Sequence, residues 1–230
     1  MNLCNPWLKI APAFYLHRFS INHLLRRKPN LILENRKVQF PHPKTYILKT
    51  PLPTMQYLIV TLIKGKAKTY QQKLLYKIPK LFKAKRAILR KPPAHITLKY
   101  FFETKNIKPV EKSIKEFCRS HKKSKYKIKG FNHFKKDVIF MDIIPSKQMT
   151  KTHQDFLKYF TKNTKIKLTS IDKTTHYHSS IAHNDIGNEF EGIQSYISKL
   201  SPKFDCEFDN ITIIKVENNL LKIHKTYILK

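Results

Sequence analysis

The sequence predicts an α+β fold of two pseudo-symmetric lobes, with antiparallel or mixed sheets flanked by helices and a central cleft between the lobes. Three observations carry that class. From residue 55 onward, strand-like and helical segments follow in the order β-α-β-α-β-β and then α-β-α-β-β. Two segments, His95-Ile96-Thr97-Leu98 and His178-Ser179-Ser180-Ile181, share one pattern of histidine, spacer, hydroxyl residue and aliphatic residue. Each sits in a strand-like stretch between two helical ones, in the equivalent place of its half.

The elements justify themselves in order. Residues 57–63 form a β-rich apolar run that ends at Gly65. Over 66–82, Tyr70, Leu74, Leu75, Ile78 and Phe82 recur at helical spacing. Pro92-Pro93 then breaks the chain ahead of a strand over 94–102. A helix over 109–119 places Val110, Ile114 and Phe117 on one side, with Pro109 suited to its first turn. Alternation marks a strand over 125–129, and 137–144 reads as a more buried one. Phe156, Leu157 and Phe160 supply the apolar side of a helix over 146–160. A strand over 176–183 follows, then a helix over 186–200 that holds Phe190, Ile193 and Ile197. Two strands close the chain, 204–216 and 220–229, joined by the turn-forming Glu217-Asn218-Asn219.

Residues 1–54 differ from this pattern. Seven prolines interrupt them and no periodicity emerges. Arg18, Arg26 and Arg27, with no acidic residue before Glu34, faintly resemble an organellar transit peptide. The segment reads as an N-terminal extension, either poorly ordered or the product of a mis-assigned start upstream of Met55, ahead of a domain over 55–230. Lys44-Thr45-Tyr46-Ile47-Leu48-Lys49 repeats as Lys225-Thr226-Tyr227-Ile228-Leu229-Lys230, which chance or a truncated second copy would explain.

Charge points to the partner. The formal net charge is +31, and only nine of the 46 basic residues lie within 1–54, so the excess belongs to the main domain. A protein this basic attracts polyanions, nucleic acid foremost. The lysine and isoleucine bias also fits an AT-rich coding sequence, so the charge supports such a partner without establishing it. Cys4, Cys118 and Cys206 have no pairing or metal spacing, which predicts a reducing, cytoplasmic setting. No apolar stretch approaches the roughly 20 residues needed to cross a bilayer, so no membrane association is expected. A monomer is expected.

The paired segments carry the chemistry. Alternate residues of a strand share a face. His95 and Thr97 therefore point one way while Ile96 and Leu98 point into the core, and His178 and Ser180 do the same. Opening a phosphodiester needs a base to activate the nucleophile, an acid for the leaving oxygen, and donors for the charge on phosphate. Two histidines titrating near pH ~6.5 can divide the proton roles. The hydroxyls of Thr97 and Ser180 can donate to phosphate oxygens. No metal or other cofactor is required.

Pro92-Pro93-Ala94-His95-Ile96-Thr97-Leu98-Lys99-Tyr100 resembles the first signature of the two-histidine (2H) phosphoesterases, the family of 2′-5′ RNA ligase and RNA cyclic phosphodiesterase. His178-Ser179-Ser180-Ile181-Ala182 resembles the second, with Ser180 where threonine is commoner. The resemblance covers roughly 55–230. It implies a bilobal fold with a pseudo-twofold axis and a catalytic cleft between lobes. It further implies hydrolysis of 2′,3′-cyclic phosphates, or reversible 2′-5′ joining of RNA ends, without a metal. His95 and His178 would be the catalytic pair, Thr97 and Ser180 the phosphate binders, and the partner an RNA or nucleotide with a cyclic or 2′-5′ phosphodiester. The resemblance leaves a non-catalytic RNA-binding module on the same fold as an alternative.

Other groups carry weaker signals. His176, His178 and His183 invite a zinc reading, but no carboxylate or cysteine completes a set at metal spacing, so no metal is expected. By strand alternation Lys99 shares the face of His95 and Thr97, where it would steady phosphate or RNA or simply be solvated. Tyr100 and Phe101 would stack on a base or belong to the core. The basic run over 122–129 would track an RNA backbone or lie in solvent.

Overall fold

Residues 54–173 and 176–230 are described by a computed structural model. The extension anticipated over 1–54, Thr54 excepted, and the repeat copy at 44–49 lie outside the described residues. The elements are β1 (Met55–Leu62), α1 (Gly65–Leu81), α2 (Arg86–Leu89), β2 (His95–Thr104), α3 (Lys108–Ser120), β3 (Ser124–Phe134), β4 (Val138–Pro145), α4 (Lys147–Thr164), β5 (His178–His183), α5 (Phe190–Ile197), β6 (Lys203–Phe208), β7 (Asn210–Glu217) and β8 (Leu220–Ile228).

Two four-stranded sheets result, in the orders β2-β1-β7-β8 and β5-β4-β3-β6. Every pairing is antiparallel. The sequence pattern explains which strands are central in the first sheet. β1 and β7 carry continuous buried runs, Tyr57–Thr61 and Asn210–Ile214, so both of their faces need cover. β2 and β8 flank them. In the second sheet, β3 alternates buried Ser124, Tyr126 and Ile128 with exposed Lys125, Lys127 and Lys129. This is the basic run noted above. It lies on an outward face opposite the acidic residues of β6, with Lys125 beside Glu207 and Lys127 beside Asp205.

The lobes do not follow the halves of the sequence. The single strand expected over 204–216 is two strands in different sheets, with the chain crossing at Asp209. Asn210, fully buried at the crossing, explains the break. Its side chain accepts from Leu62 N at 2.9 Å and donates to Leu62 O at 3.1 Å, replacing the strand partner that β1 would otherwise lack there. β7 and β8 thus return to pair beside β1. β3 and β4, from the first half of the sequence, join β5 instead.

Helix placement is crossed in the same way. α1 packs on β5 and β6, whereas α3 packs on β7 and β8 and against α4. One core cluster joins both sheets, from Ile59, Ile96 and Ile213 to Ile139, Met141 and Ile181, with Phe117, Phe156 and Phe160 from the helices. Local chemistry sets the ends. Ser146 Oγ accepts from Met149 N at 3.1 Å and caps α4. Asn218 and Asn219, at φ 50° and 62°, make the two-residue turn between β7 and β8. The helix expected over 186–200 shortens to a 3-10 turn followed by α5, and α2 carries no apolar period that would have announced it.

Candidate active site

The two motif strands are equivalent edge strands. β2 ends the first sheet and β5 ends the second, and the two are in contact. His95 and Thr97 are partly accessible and alternate with buried Ile96 and Leu98. His178 and Ser180 alternate in the same way with buried Ser179 and Ile181. Directly opposed residues of an antiparallel pair share a face. His95 lies opposite Leu62 and Thr97 opposite Val60, so this face is floored by the small cluster of Leu58, Val60 and Ile214. On the other side His178 lies opposite Asp142 and Ser180 opposite Phe140.

Each strand bulges one residue past its hydroxyl. Val60 pairs with Thr97 and Ile59 with Lys99, leaving Leu98 as an extra residue. Phe140 pairs with Ser180 and Ile139 with Ala182, leaving Ile181 as the extra residue. An extra residue inverts which side chains reach a face beyond it. Lys99 therefore does not share the face of His95 and Thr97, contrary to simple alternation. It lies opposite the core residue Ile59, with its side chain 0% exposed.

Its Nζ pairs with Asp172 at 2.9 Å, also 0% exposed, and donates to Tyr100 O at 3.0 Å. Asp172 further accepts from Tyr100 N and from Thr169 N and Oγ1, at 2.6 to 2.8 Å. The lysine that sequence alternation offers to RNA is enclosed by protein. Tyr100 points away from Lys99, is 39% exposed and meets Phe101 edge-on at 5.0 Å. Phe101 packs on the Leu58 and Val60 cluster that floors the His95 side. The same inversion on β5 brings His183, opposite Val138, onto the face of His178 and Ser180.

The histidines share one orientation. His95 Nδ1 donates to Pro93 O at 2.7 Å, and His178 Nδ1 donates to His176 O at 3.1 Å. A carbonyl only accepts, so each Nδ1 carries hydrogen and each Nε2 is left to exchange a proton. In both cases the partner is the carbonyl two residues upstream. Phe134 and Phe140 stand against the His178 ring at 5.1 and 5.0 Å.

Burial pushes the pKa of both rings down, and the carbonyl bonds oppose it. Charge on His183 lowers His95 further. Charge on His176 and His95 lowers His178, while Asp142 raises it. The pair thus resists carrying two protons at once. His176 lies outside the strand, with Nε2 3.3 Å from Asp142 Oδ1. Among the described residues no group of three or more His, Cys, Asp or Glu side chains is disposed to hold a metal ion.

Sequence reading missed two supports of this arrangement. His153, buried on α4, donates from Nε2 to Leu98 O at 2.7 Å and accepts at Nδ1 from Tyr177 Oη at 3.0 Å. It therefore links the bulge beside Thr97 to the residue before His178. Its signal was its register with Met149, Phe156 and Phe160 on the apolar side of the helix. Asp172 had none, because it falls in an aperiodic stretch.

Burial also lowers the pKa of His153 and His183. All four histidines are thus held below their unfolded value of about 6.5. As pH falls below that value the unfolded chain takes up protons first, so stability is full above it and declines through the folded values. Urea midpoints are expected to drop steadily between pH 7 and pH 5. A midpoint that holds or rises over that interval contradicts the burial of neutral imidazoles.

The family model of the 2′-5′ RNA ligase superfamily matches residues 76–220, more than half of the chain and inclusive of both motifs. The chain belongs to the 2′-5′ RNA ligase superfamily, the 2H phosphoesterases. Solved structures with the same fold accompany that assignment. TT0787 of Thermus thermophilus superposes with a TM-score of 0.52 at 10% identity, covering 76% of this chain and 98% of its own. A phosphoesterase superposes at 0.54 and 9% identity, covering 77% and 99%. Apo LigT of E. coli superposes at 0.51 and 11% identity, also covering 77% and 99%. No curated protein sequence matches the chain. Within the superfamily's fold, the two motif strands take the sheet edges that meet. Among the described residues no helix is long and apolar enough to cross a membrane.

Proposed function

We propose that the protein is a phosphoesterase that hydrolyses 2′,3′-cyclic phosphodiesters at RNA ends by general acid–base catalysis between His95 and His178, with no metal required. The single observation that carries this reading is the matched orientation of the two rings. Each commits Nδ1–H to the carbonyl two residues upstream and leaves Nε2 for proton transfer.

One neutral Nε2 takes a proton from water as the water oxygen attacks phosphorus. The bond from phosphorus to one ribose oxygen breaks, and the protonated Nε2 of the other ring delivers a proton to that oxygen. A phosphomonoester and a free hydroxyl result, and solvent exchange restores the protons. Thr97 and Ser180 donate to the non-bridging oxygens, where charge accumulates. A second reading is 2′-5′ ligation, favoured by the description of the matching family. There an RNA hydroxyl replaces water at the same pair. Structures of E. coli LigT with ATP and with 3′-AMP support a nucleotide-sized ligand for this fold.

Incubation with a 2′,3′-cyclic mononucleotide in the presence of EDTA tests the reading. Phosphomonoester formation that survives chelation is expected. RNA binding with no hydrolysis or joining under any condition makes the protein a binding module instead. Thr97→Val and Ser180→Ala should each lower kcat/KM by about 10- to 100-fold, the worth of one charged hydrogen bond. Unchanged rates in both would remove the hydroxyls from the site.

A further inference from the structure

We infer that Arg86 and Arg90, at the start of α2 and at its C-terminal cap beside His183, form a second anion subsite that takes the phosphate of a nucleotide adjoining the scissile one. The substrate is then the end of an RNA strand rather than a free mononucleotide. This inference rests on the reading of the site given above.

α2 is a four-residue turn packed against β5. It is pinned there by Asp185, two residues beyond His183, whose Oδ2 accepts from Lys85 N at 2.8 Å and Arg86 N at 2.9 Å. Among the described residues its Oδ1 has no hydrogen-bond partner, and its charge acts on His183. Arg86 opens α2 and Arg90 is its C-terminal cap residue, so the two stand four residues apart, about one helical turn. Arg86 is exposed and Arg90 half-buried. The Arg90 guanidinium stands 5.2 Å from the Phe101 ring centroid, and Phe101 packs on the cluster that floors the His95 side. Its Nε donates to Asn219 O at 3.4 Å, which fixes the plane of the group.

Among the described residues no carboxylate lies within ion-pair distance of either guanidinium. Besides burial, the two guanidinium charges lower the His183 pKa and the Asp185 carboxylate raises it. His183 lies on the face of β5 that carries His178 and Ser180, and α2 packs against β5, so the arginines adjoin that face.

Residue choice points the same way. Residues 54–230 hold only three arginines in a background of lysine, namely Arg86, Arg90 and Arg119, and two of them occupy this turn. Arginine offers a planar fork that binds phosphate through two bonds, which lysine does not. A cyclic mononucleotide has one phosphate, and the histidines and hydroxyls account for it. A second anion site is filled when the terminal nucleotide carries a further phosphate at its 5′ oxygen, as it does at the 3′ end of a strand.

The test compares a 2′,3′-cyclic mononucleotide with a short oligoribonucleotide ending in a 2′,3′-cyclic phosphate, for the wild type, Arg86→Ala, Arg90→Ala, the double alanine variant and the double lysine variant. The double alanine variant is expected to lose about 10- to 100-fold in kcat/KM toward the oligonucleotide, mainly through KM, and less than about two-fold toward the mononucleotide. The lysine variant should recover part of the loss. Equal losses on both substrates, or none on either, overturn the subsite and leave the proposed reaction standing.

A wild type that hydrolyses neither substrate overturns the proposed reaction instead, and binding alone then decides the subsite. Anisotropy of a fluorescent oligoribonucleotide with a 3′-phosphate should show affinity at least ~10-fold weaker in the double alanine variant. Unchanged affinity overturns the subsite.

Discussion

Alanine at either His95 or His178 is expected to reduce cyclic-phosphodiester hydrolysis by about 100- to 10,000-fold, the usual contribution of a positioned general acid or base. The rings are attached to edge strands and are partly accessible, on the face opposite the buried residues of β2 and β5, so the core beneath them is untouched. Urea midpoints at pH 7.5 should therefore stay close to wild type, which separates lost chemistry from lost folding. The double variant should fall little below the worse single one, since the two rings act as one proton relay. The direction of the pH profile follows from the same geometry. Burial lowers both pKa values, so the limb that reports loss of the base lies below the ordinary histidine range of about 6.5. Full activity in either single variant would remove these histidines from catalysis.

Lys99→Met should cost about 3–5 kcal/mol of stability, the range for a buried ion pair that loses one member. The substitution keeps volume but leaves the Asp172 carboxylate enclosed without its cation. Against a total of about 5–15 kcal/mol this is a large fraction. Asp172 still accepts from Tyr100 N, Thr169 N and Thr169 Oγ1, so some of its charge remains solvated by protein donors. Asp172→Asn in the Lys99→Met background should recover part of the loss by removing the charge while keeping an oxygen acceptor. The check is urea unfolding of the three proteins. A loss under about 1 kcal/mol for Lys99→Met would mean the pair is not enclosed as described. Activity serves as a second readout, because the Lys99–Asp172 pair holds the strand that carries Thr97.

The α+β class, most element positions and the face taken by the motif residues were legible in the sequence. Period-2 alternation around His95, Thr97, His178 and Ser180 is a local property, and antiparallel pairing preserves it for as long as the ladder is regular. The Asn218-Asn219 turn was legible for the same kind of reason, since both residues tolerate positive φ.

What lay beyond the sequence was non-local. The bulges at Leu98 and Ile181 depend on partners in β1 and β4, and they decide that Lys99 turns inward and His183 turns toward the site. Strand exchange is non-local as well. Residues 204–216 read as one strand until Asn210 takes up the Leu62 backbone and sends β7 to the other sheet. The pairing of Asp172 with Lys99 and the link from His153 to Leu98 and Tyr177 require segments roughly 70 and 55 residues apart to pack together. The sequence by itself determined two strands that each expose a histidine and a hydroxyl, because side-chain alternation is intrinsic to an extended backbone. Only the tertiary structure decided that these strands meet edge to edge and which neighbours join them. Register and burial are set by partners that no local pattern names.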